Sequence, residues 1–316
     1  MPSLIVPKMS VILPTPDKYH TIAKTLDYLR QQTVKKNLEI IIVAPSASEI
    51  TPHIKEIDDF FAIEAIGIGK IKSIAFAYTE GIRHSQAPIV ALAEDHCFPD
   101  ADWAEYLIEA HKQPWAVVGP VLRNANPNNV VSWADMLIAY APWLDFTPSG
   151  IVNFLPGHNS SYKKDILLSY EEKLAEMMET ETILHWDIQS KGYQLYLESR
   201  AKTSHTNFGD LFTWIQVQFY CGKLFAGDRV NNQNWNMGKK LIYTMASPLI
   251  PFVRLWRIYR QLEERKLQKL WSLKLFLTLF LGLIIDSIGQ GIGYIFGVGK
   301  AMAKISKFEF HRDQYS

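Results

Sequence analysis

Residues 89–103 carry the side chains best suited to chemistry. The apolar run Ile89-Val-Ala-Leu-Ala93 is followed at once by Glu94, Asp95 and His96, and then by Cys97-Phe-Pro-Asp-Ala-Asp-Trp103. An unbroken apolar run reads as a strand buried on both faces, the kind found in parallel sheets. Open α/β sheets bind ligands in the crevice beyond the carboxyl ends of their strands, and that is where these three ionisable residues fall. Glu94 and His96 are two positions apart, so in an extended chain they project to the same side. A carboxylate and an imidazole so placed could hold one divalent ion, while Asp95 turns the other way or bonds to the backbone. The same residues also fit an acidic turn with a surface histidine. Pro99 stops the strand, and Asp100 stands where it could cap a helix over residues 101–111.

The elements that must position this stretch alternate in type. Residues 10–13 form a short strand stopped by Pro14 and Pro16, and residues 21–32 a helix with Ile22, Leu26 and Leu29 on one face. A second strand over 38–43 turns at Pro45-Ser-Ala-Ser48, and Ser48 is placed to cap a weaker helix reaching residue 60. A third strand spans 62–66. Ile71, Ile74, Ala75, Tyr78 and Ile82 then mark a helix by their spacing, which leads into the strand at Ile89. Four strand–helix alternations predict a parallel sheet with right-handed crossovers. Beyond residue 111 the pattern predicts a strand over 115–119, a Pro/Asn-rich loop over 120–129 and a helix over 130–140. A strand over 151–155, helices over 163–178 (broken near Ser169) and 181–191, and a strand over 193–198 follow. Gly192 suits a left-handed helix cap.

Composition narrows the class. Hydrophobic residues make up 48% of the 316 and charged residues 21%, enough apolar material for a core and too little charge for disorder. A net charge of +1 gives no electrostatic footprint for nucleic acid. The two cysteines, Cys97 and Cys221, lack CxxC spacing and point to a reducing compartment. Residues 1–7 are too short and too broken by prolines to read as a secretory signal.

Taken in order, these pieces resemble a family 2 glycosyltransferase of the GT-A fold over about residues 9–207. The resemblance rests on Ser10-Val-Ile-Leu-Pro-Thr15, Glu39-Ile-Ile-Ile-Val43 and the patterned helix with Gly81-Ile82. It continues through Glu94-Asp-His-Cys-Phe-Pro-Asp-Ala-Asp-Trp103, Pro156-Gly-His-Asn-Ser-Ser-Tyr162, Glu181-Thr-Ile-Leu184 leading to Gly192-Tyr193, and His205. It implies an α/β, Rossmann-like and mostly parallel sheet flanked by helices. Glu94-Asp95-His96 falls on the family's DXD motif, whose first and last members face the cation that neutralises a nucleotide diphosphate. Carboxylate ligands suit Mg²⁺ or Mn²⁺, and imidazole tilts the choice toward Mn²⁺. Pro14, Ser46, Glu94, Asp95 and His96 would border the donor, His205 would approach the metal or diphosphate, and His158 and Asn159 would line the acceptor pocket. Glu181 falls on the family's general base, with Thr180 in place of the acid that usually precedes it. Two departures touch the donor half: Ala44-Pro45-Ser46 replaces a base-reading aspartate, and Tyr78-Thr79 replaces an Arg-Asn pair.

From Phe208 the composition changes, dividing the chain into an expected catalytic domain (1–207) and a helical region (208–316). Arginines at 254, 257, 260 and 265 and lysines at 266, 269 and 274 interleave with Trp256, Tyr259 and Trp271. That is the pattern of a helix lying on an anionic membrane surface. Residues 273–298 exceed the roughly 20 residues a crossing needs, yet include Asp286 and Gln290. A crossing, a re-entrant hairpin, an interfacial helix pair and a helical subdomain packed on the catalytic domain all fit. In a crossing, the basic flank would be cytoplasmic, in keeping with a cytosolic supply of sugar nucleotide. The function expected is metal-dependent, inverting sugar transfer from a nucleotide-diphosphate sugar to a glycan or lipid-linked acceptor at the cytoplasmic membrane face. A catalytically silent GT-A-like domain acting as a membrane-bound binding or assembly partner is the rival. A nucleotidyl or phosphoryl transferase is a third possibility, though no GxxxxGK[ST] phosphate loop is present.

Overall fold

The computed structural model describes residues 6–16 and 18–316; residues 1–5, within the stretch read as lacking a signal, lie outside the described residues. Strands β1 (Met9–Pro14) and β2 (Leu38–Ala44) are buried at every position, as their apolar runs require. Between them α1 (Tyr19–Arg30) buries Ile22, Leu26 and Leu29, the stripe that the spacing predicts. Helix α2 (Ala47–Ile54) stops well short of residue 60, and Asp59 instead pairs with Arg30 at 2.9 Å and Lys35 at 2.7 Å. Next come β3 (Ala62–Gly67) and α3 (Ile74–His84), which Ser73 caps by accepting from the Phe76 N–H at 3.1 Å. Gly81 lets α3 settle on the sheet: a Cβ there would lie 2.3 Å from the Ile12 side chain.

Strand β4 (Ile89–Leu92) is followed by a three-residue strand, β5 (Cys97–Pro99), that the sequence reading missed. Helix α4 (Trp103–Ala110) starts after Asp102, while Asp100, the expected cap, pairs with Arg123. Strand β6 (Val117–Asn124) runs through Pro120, so the expected loop begins only after Asn124. Burial of Val121 and Leu122 outweighs the turn-like composition there. Helix α5 (Val130–Tyr140) keeps its expected bounds. Two short strands, β7 (Gly150–Val152) and β8 (Ser161–Lys163), precede α6 (Lys164–Leu168), α7 (Leu174–Met177) and α8 (Glu181–Ser190). Gly192, at φ +88°, closes α8 as expected, and β9 (Leu195–His205) is longer than predicted.

Among the described residues the sheet has the order β3-β2-β1-β4-β8-β6-β9-β5, with β7 on β9. Pairs β1–β2, β2–β3 and β1–β4 are parallel, whereas β4–β8, β6–β8 and β7–β9 are antiparallel. The sheet is therefore mixed. Its parallel half comes from the strand–helix alternation; the antiparallel half comes from strands after residue 110, where that alternation ends.

The chain divides into two compact units, one of residues 1–123 with 148–204 and the other of residues 124–147 with 205–316. In the first, α1, α2 and α4 cover the sheet around a core that includes Val11, Leu13, Ile40, Ile42, Trp103 and Leu107. The second is helical: α9 (Leu211–Asn232), α10 (Met237–Ala246), α11 (Ile250–Glu264), α12 (Leu273–Phe296) and α13 (Ala301–Glu309) join α5. Helices α9 and α12 approach so closely that a Cβ on Gly289 would lie 2.2 Å from the Phe219 carbonyl, and one on Gly222 2.1 Å from the Asp286 carbonyl. Asp286, expected to interrupt the apolar run, leaves α12 continuous. It meets Arg254 at 2.8 Å and accepts from Gln290 at 2.8 Å.

Candidate active site

The site is assembled at the tip of β4. The Ala93 N–H donates to the Ile12 carbonyl at 2.9 Å, which carries the sheet ladder one residue beyond β4. The chain then turns, with the Cys97 N–H facing the Glu94 carbonyl at 3.5 Å. Glu94 and His96 therefore meet across a turn and not along an extended strand. Thr25, buried on α1, pins this turn by donating to the Glu94 and Asp95 carbonyls at 3.1 and 2.9 Å. Both side chains are buried, and His96 Nε2 lies 3.6 Å from Glu94 Oε2. Asp95 neither turns away nor bonds to the backbone through its side chain: its Oδ1 lies 2.7 Å from His96 Nδ1. A carboxylate at Nδ1 orients the ring so that Nε2 faces Glu94.

The loop before β8 runs beside β4. The Asn159 N–H donates to the Leu92 carbonyl at 2.6 Å, and the Leu92 N–H to the Ser160 carbonyl at 3.1 Å. Asn159 adopts φ +63°, a left-handed conformation that asparagine tolerates. Its side-chain amide donates to Glu94 Oε2 at 3.1 Å. His158 bridges two carboxylates, with Nδ1 3.6 Å from Glu94 Oε1 and Nε2 3.0 Å from Glu181 Oε1. Glu181 sits in the first turn of α8, where a carboxylate also gains from the helix dipole. Gly157 makes room for it: a Cβ there would lie 2.2 Å from Glu181 Cγ. His158 and Glu181 keep 25% and 23% of their side-chain surface exposed, so the cluster opens to solvent on their side.

Tyr78 closes the group from α3. Its hydroxyl donates to the Ala93 carbonyl at 2.9 Å, and its ring centroid lies 5.8 Å from that of His158. Burial, with the carboxylates of Glu94, Glu181 and Asp95 nearby, pushes this phenol well above its usual value, so it stays a neutral donor. Sequence reading placed Tyr78 in a core stripe and noted it as a departure; it missed Thr25, gave Gly157 no role of its own and did not foresee the contact of Asp95 with His96. Stripe membership and local spacing do not reveal such partners, which come from distant elements.

Pro14 ends β1 opposite Val43, and Ser46 precedes α2 with its Oγ 2.8 Å from that of Ser48. Both lie where parallel strands present their carboxyl ends. His205 ends β9 and belongs to the second unit, its Nδ1 3.0 Å from Asn207 Oδ1 and its Nε2 3.3 Å from the Tyr140 hydroxyl. In the first unit Glu94 and His96 supply a carboxylate oxygen and an imidazole nitrogen, donors of a type that can hold a metal ion.

The family described as Glycosyl transferase family 2 matches residues 10–170, just over half of the chain, from Ser10 in β1 to beyond His158 and Asn159. The protein belongs to glycosyl transferase family 2. No curated protein matches the sequence. Mannosyltransferase PcManGT from Pyrobaculum calidifontis, solved with GDP-Man and Mn²⁺, has a similar structure: TM-score 0.56 at 14% identity, over 91% of this chain and 88% of that one. S. aureus TarS 1–349 in complex with UDP aligns with TM-score 0.48 at 17% identity over 89% of each chain. The PcManGT likeness is one of fold, and the score for TarS is too low to add to it. In this family 2 glycosyltransferase, Glu94, Asp95 and His96, expected at the metal motif, lie on and beside the turn after β4, and Glu181, expected as the base, lies on the first turn of α8.

Proposed function

We propose that the protein catalyses metal-dependent, inverting transfer of a sugar from a nucleotide-diphosphate sugar to a hydroxyl of a glycan or lipid-linked acceptor at the cytoplasmic membrane face. The observation that carries this reading is the His158 bridge, 3.0 Å from Glu181 and 3.6 Å from Glu94, which sets a solvent-reaching carboxylate beside the metal-type donors. Glu94 and His96 would hold the cation, with His205 as the third donor that the family resemblance supplies. Mn²⁺ or Mg²⁺ suits this set, and the imidazoles favour Mn²⁺. The fold relative's GDP-Man and Mn²⁺ support the same pairing of donor and ion. When bound, the cation offsets charge developing on the departing diphosphate.

The chain's own residues do the rest. Asp95 orients His96 through Nδ1, Asn159 orients Glu94, and Thr25 fixes the turn on which both metal donors sit. Pro14 and Ser46 would border the donor. Glu181, held at Oε1 by His158, would take the proton of the acceptor hydroxyl, which His158 and Asn159 help to place. The catalytic share is assigned to residues 1–207 and the membrane-associating share to residues 208–316. A silent GT-A-like domain is favoured only by Ala44-Pro45-Ser46, which stands where the family carries a base-reading aspartate.

Glu181→Gln tests the reading, because it keeps the side chain's shape and removes its proton-accepting oxygen charge. Donor affinity by calorimetry should stay near normal, and transfer at saturating donor and acceptor should fall by about 10²–10⁴-fold. Normal transfer by the variant rejects the base, and a wild-type chain that binds donor without any transfer supports the silent domain.

A further inference from the structure

Three helices of the second unit turn apolar side chains outward. Helix α10 is amphipathic yet has no buried residue. Its apolar positions Met237, Leu241 and Met245 recur every fourth residue and are exposed, Met245 at 72%. A surface helix of a soluble domain turns such a stripe toward the core. On α11, Phe252 and Trp256 are both exposed, at 61% and 63%. Helix α12 exposes Leu273, Leu277 and Leu281, again every fourth residue. The helices are neighbours, since α12 packs against both α10 and α11. Ring contacts tie α11 to α12, from Phe252 to Phe280 at 5.5 Å and, through Trp271 just before α12, from Tyr259 at 5.4 Å to Phe276 at 5.9 Å. Exposed apolar side chains from adjacent elements at this density mark an interaction face.

Charge identifies the occupant. Lys239 at the start of α10, Arg257 and Arg260 on α11 and Lys274 on α12 are exposed among these apolar residues. Arginine, methionine and aromatic residues also occur at protein–protein interfaces, but lysine is depleted there. Lys239 and Lys274, together with the arginines beside apolar and aromatic side chains, instead suit the headgroup layer of an anionic bilayer. Trp256 and Tyr259 are residues that settle at that level.

Packing decides between lying on the bilayer and crossing it. Helix α12 is the one described helix long and apolar enough to cross, and half of its most apolar window is buried. The buried side is locked to α9, where a Cβ on Gly293 would lie 2.4 Å from the Lys223 carbonyl. A crossing by α12 would carry α9 with it, and with α9 the charges of Lys223, Asp228 and Arg229. Each of these is costly in hydrocarbon. Asp286 and Gln290 already have their partners within the unit, in Arg254 and Tyr294.

We infer that α10, α11 and α12 form a monotopic docking face for an anionic lipid bilayer, with their exposed apolar stripes at the headgroup–acyl boundary and α12 lying along the surface without crossing. This rests on the membrane association proposed above and adds its mode and its lipid chemistry.

The test uses the purified full-length chain and two vesicle types, phosphatidylcholine alone and phosphatidylcholine mixed with phosphatidylglycerol. Mn²⁺-dependent nucleotide binding is measured on the same samples, so that failure of the docking face and failure of the transferase reading are seen separately. The protein should float with the anionic vesicles, leave them in high salt and be released by alkaline carbonate. Arg257→Gln or Arg260→Gln should each weaken binding to anionic vesicles by roughly fivefold, the equivalent of about 1 kcal/mol per basic residue. The double variant Met245→Ser/Trp256→Ser should weaken binding to both vesicle types and leave nucleotide binding unchanged. Brominated lipids should quench wild-type fluorescence, and Trp256→Phe should lose part of that quenching; this readout needs no destabilising substitution. Absence of flotation overturns the inference, including the case of a dimer that hides the face. So does carbonate-resistant attachment with a protease-protected C-terminal segment, which would mean a crossing.

Discussion

Both units bury charge, and the company each charge keeps is different. In the second unit Asp135 meets Arg312 at 3.3 Å and also accepts from the Phe208 N–H and the Trp214 indole, while Asp286 meets Arg254 at 2.8 Å. These are carboxylates closed on guanidinium groups, which never lose their charge at ordinary pH. Burial alone would lower the Arg312 value, but Glu309 and Asp135 more than offset it and hold the group above its ordinary range. In the first unit Glu94 meets His96, His158 and Asn159, two imidazoles and an amide. Imidazoles can exchange a proton or take a metal at neutral pH, whereas guanidinium groups cannot. The first unit also has such a closed pair, Glu198 with Arg200 at 2.9 Å. The contrast therefore lies with the cluster around Glu94, whose partners can change where those of Asp135 and Asp286 are locked for structure.

Replacing one partner in each unit should separate these roles. Arg312→Ala leaves Asp135 and Glu309 without their cation in a buried site, so denaturation should show a loss of about 3–5 kcal/mol. A loss below about 1 kcal/mol, the range of exposed pairs, would mean that the second unit's network is not structural. In the first unit, Gly157→Ala places a Cβ against Glu181, which must shift. A displacement of that order near the chemistry costs about 10²-fold in transfer, with melting temperature and donor affinity little changed. Unaltered transfer would show that the position of Glu181 is not critical.

The smallest effect concerns protons. His185 and His111 are buried, and desolvation lowers their values from 6.5 to about 3 and about 4. The Leu155 N–H donates to His185 Nδ1 at 3.4 Å, and Nε2 lies 3.0 Å from the Tyr162 hydroxyl, so the neutral ring suits the site. Because the folded values lie below the unfolded one, the stabilisation is fully present above pH 6.5. It is lost as pH falls toward 4 and 3, at up to about 1.4 kcal/mol per pH unit for each histidine. Urea denaturation of the wild type and of His185→Gln at pH 7 and 5 should show the shallower acid loss in the variant. Equal losses would remove His185 from the account of acid stability.

Much of the parallel half was legible because buried strands and striped helices leave periodic marks, as in α1 and α3. The antiparallel half was harder: β5, β7 and β8 have three residues each, β5 among acidic residues and the others in text rich in Pro, Gly and Asn, and β6 passes through Pro120. The place of Glu94 and His96 just beyond a strand tip could be read from the apolar run before them. The bond from His96 to Asp95 could not, because it depends on a turn where an extended chain was expected. His158 and Glu181 stand on separate elements, and no local spacing encodes their contact. In the same way Asp286 read as an interruption of α12 until Arg254, on another helix, supplied its partner.

The central claim is that Glu94 and His96 make nucleotide binding depend on a metal ion. Calorimetric titration of GDP, UDP, ADP and TDP into the full-length chain, with Mn²⁺ and then with a chelator, tests it most directly when repeated on Glu94→Ala. At least one diphosphate should bind with Mn²⁺, bind far more weakly after chelation, and lose that metal dependence in Glu94→Ala. Binding of equal strength with and without metal in both proteins, or no binding by any of the four, would contradict the claim.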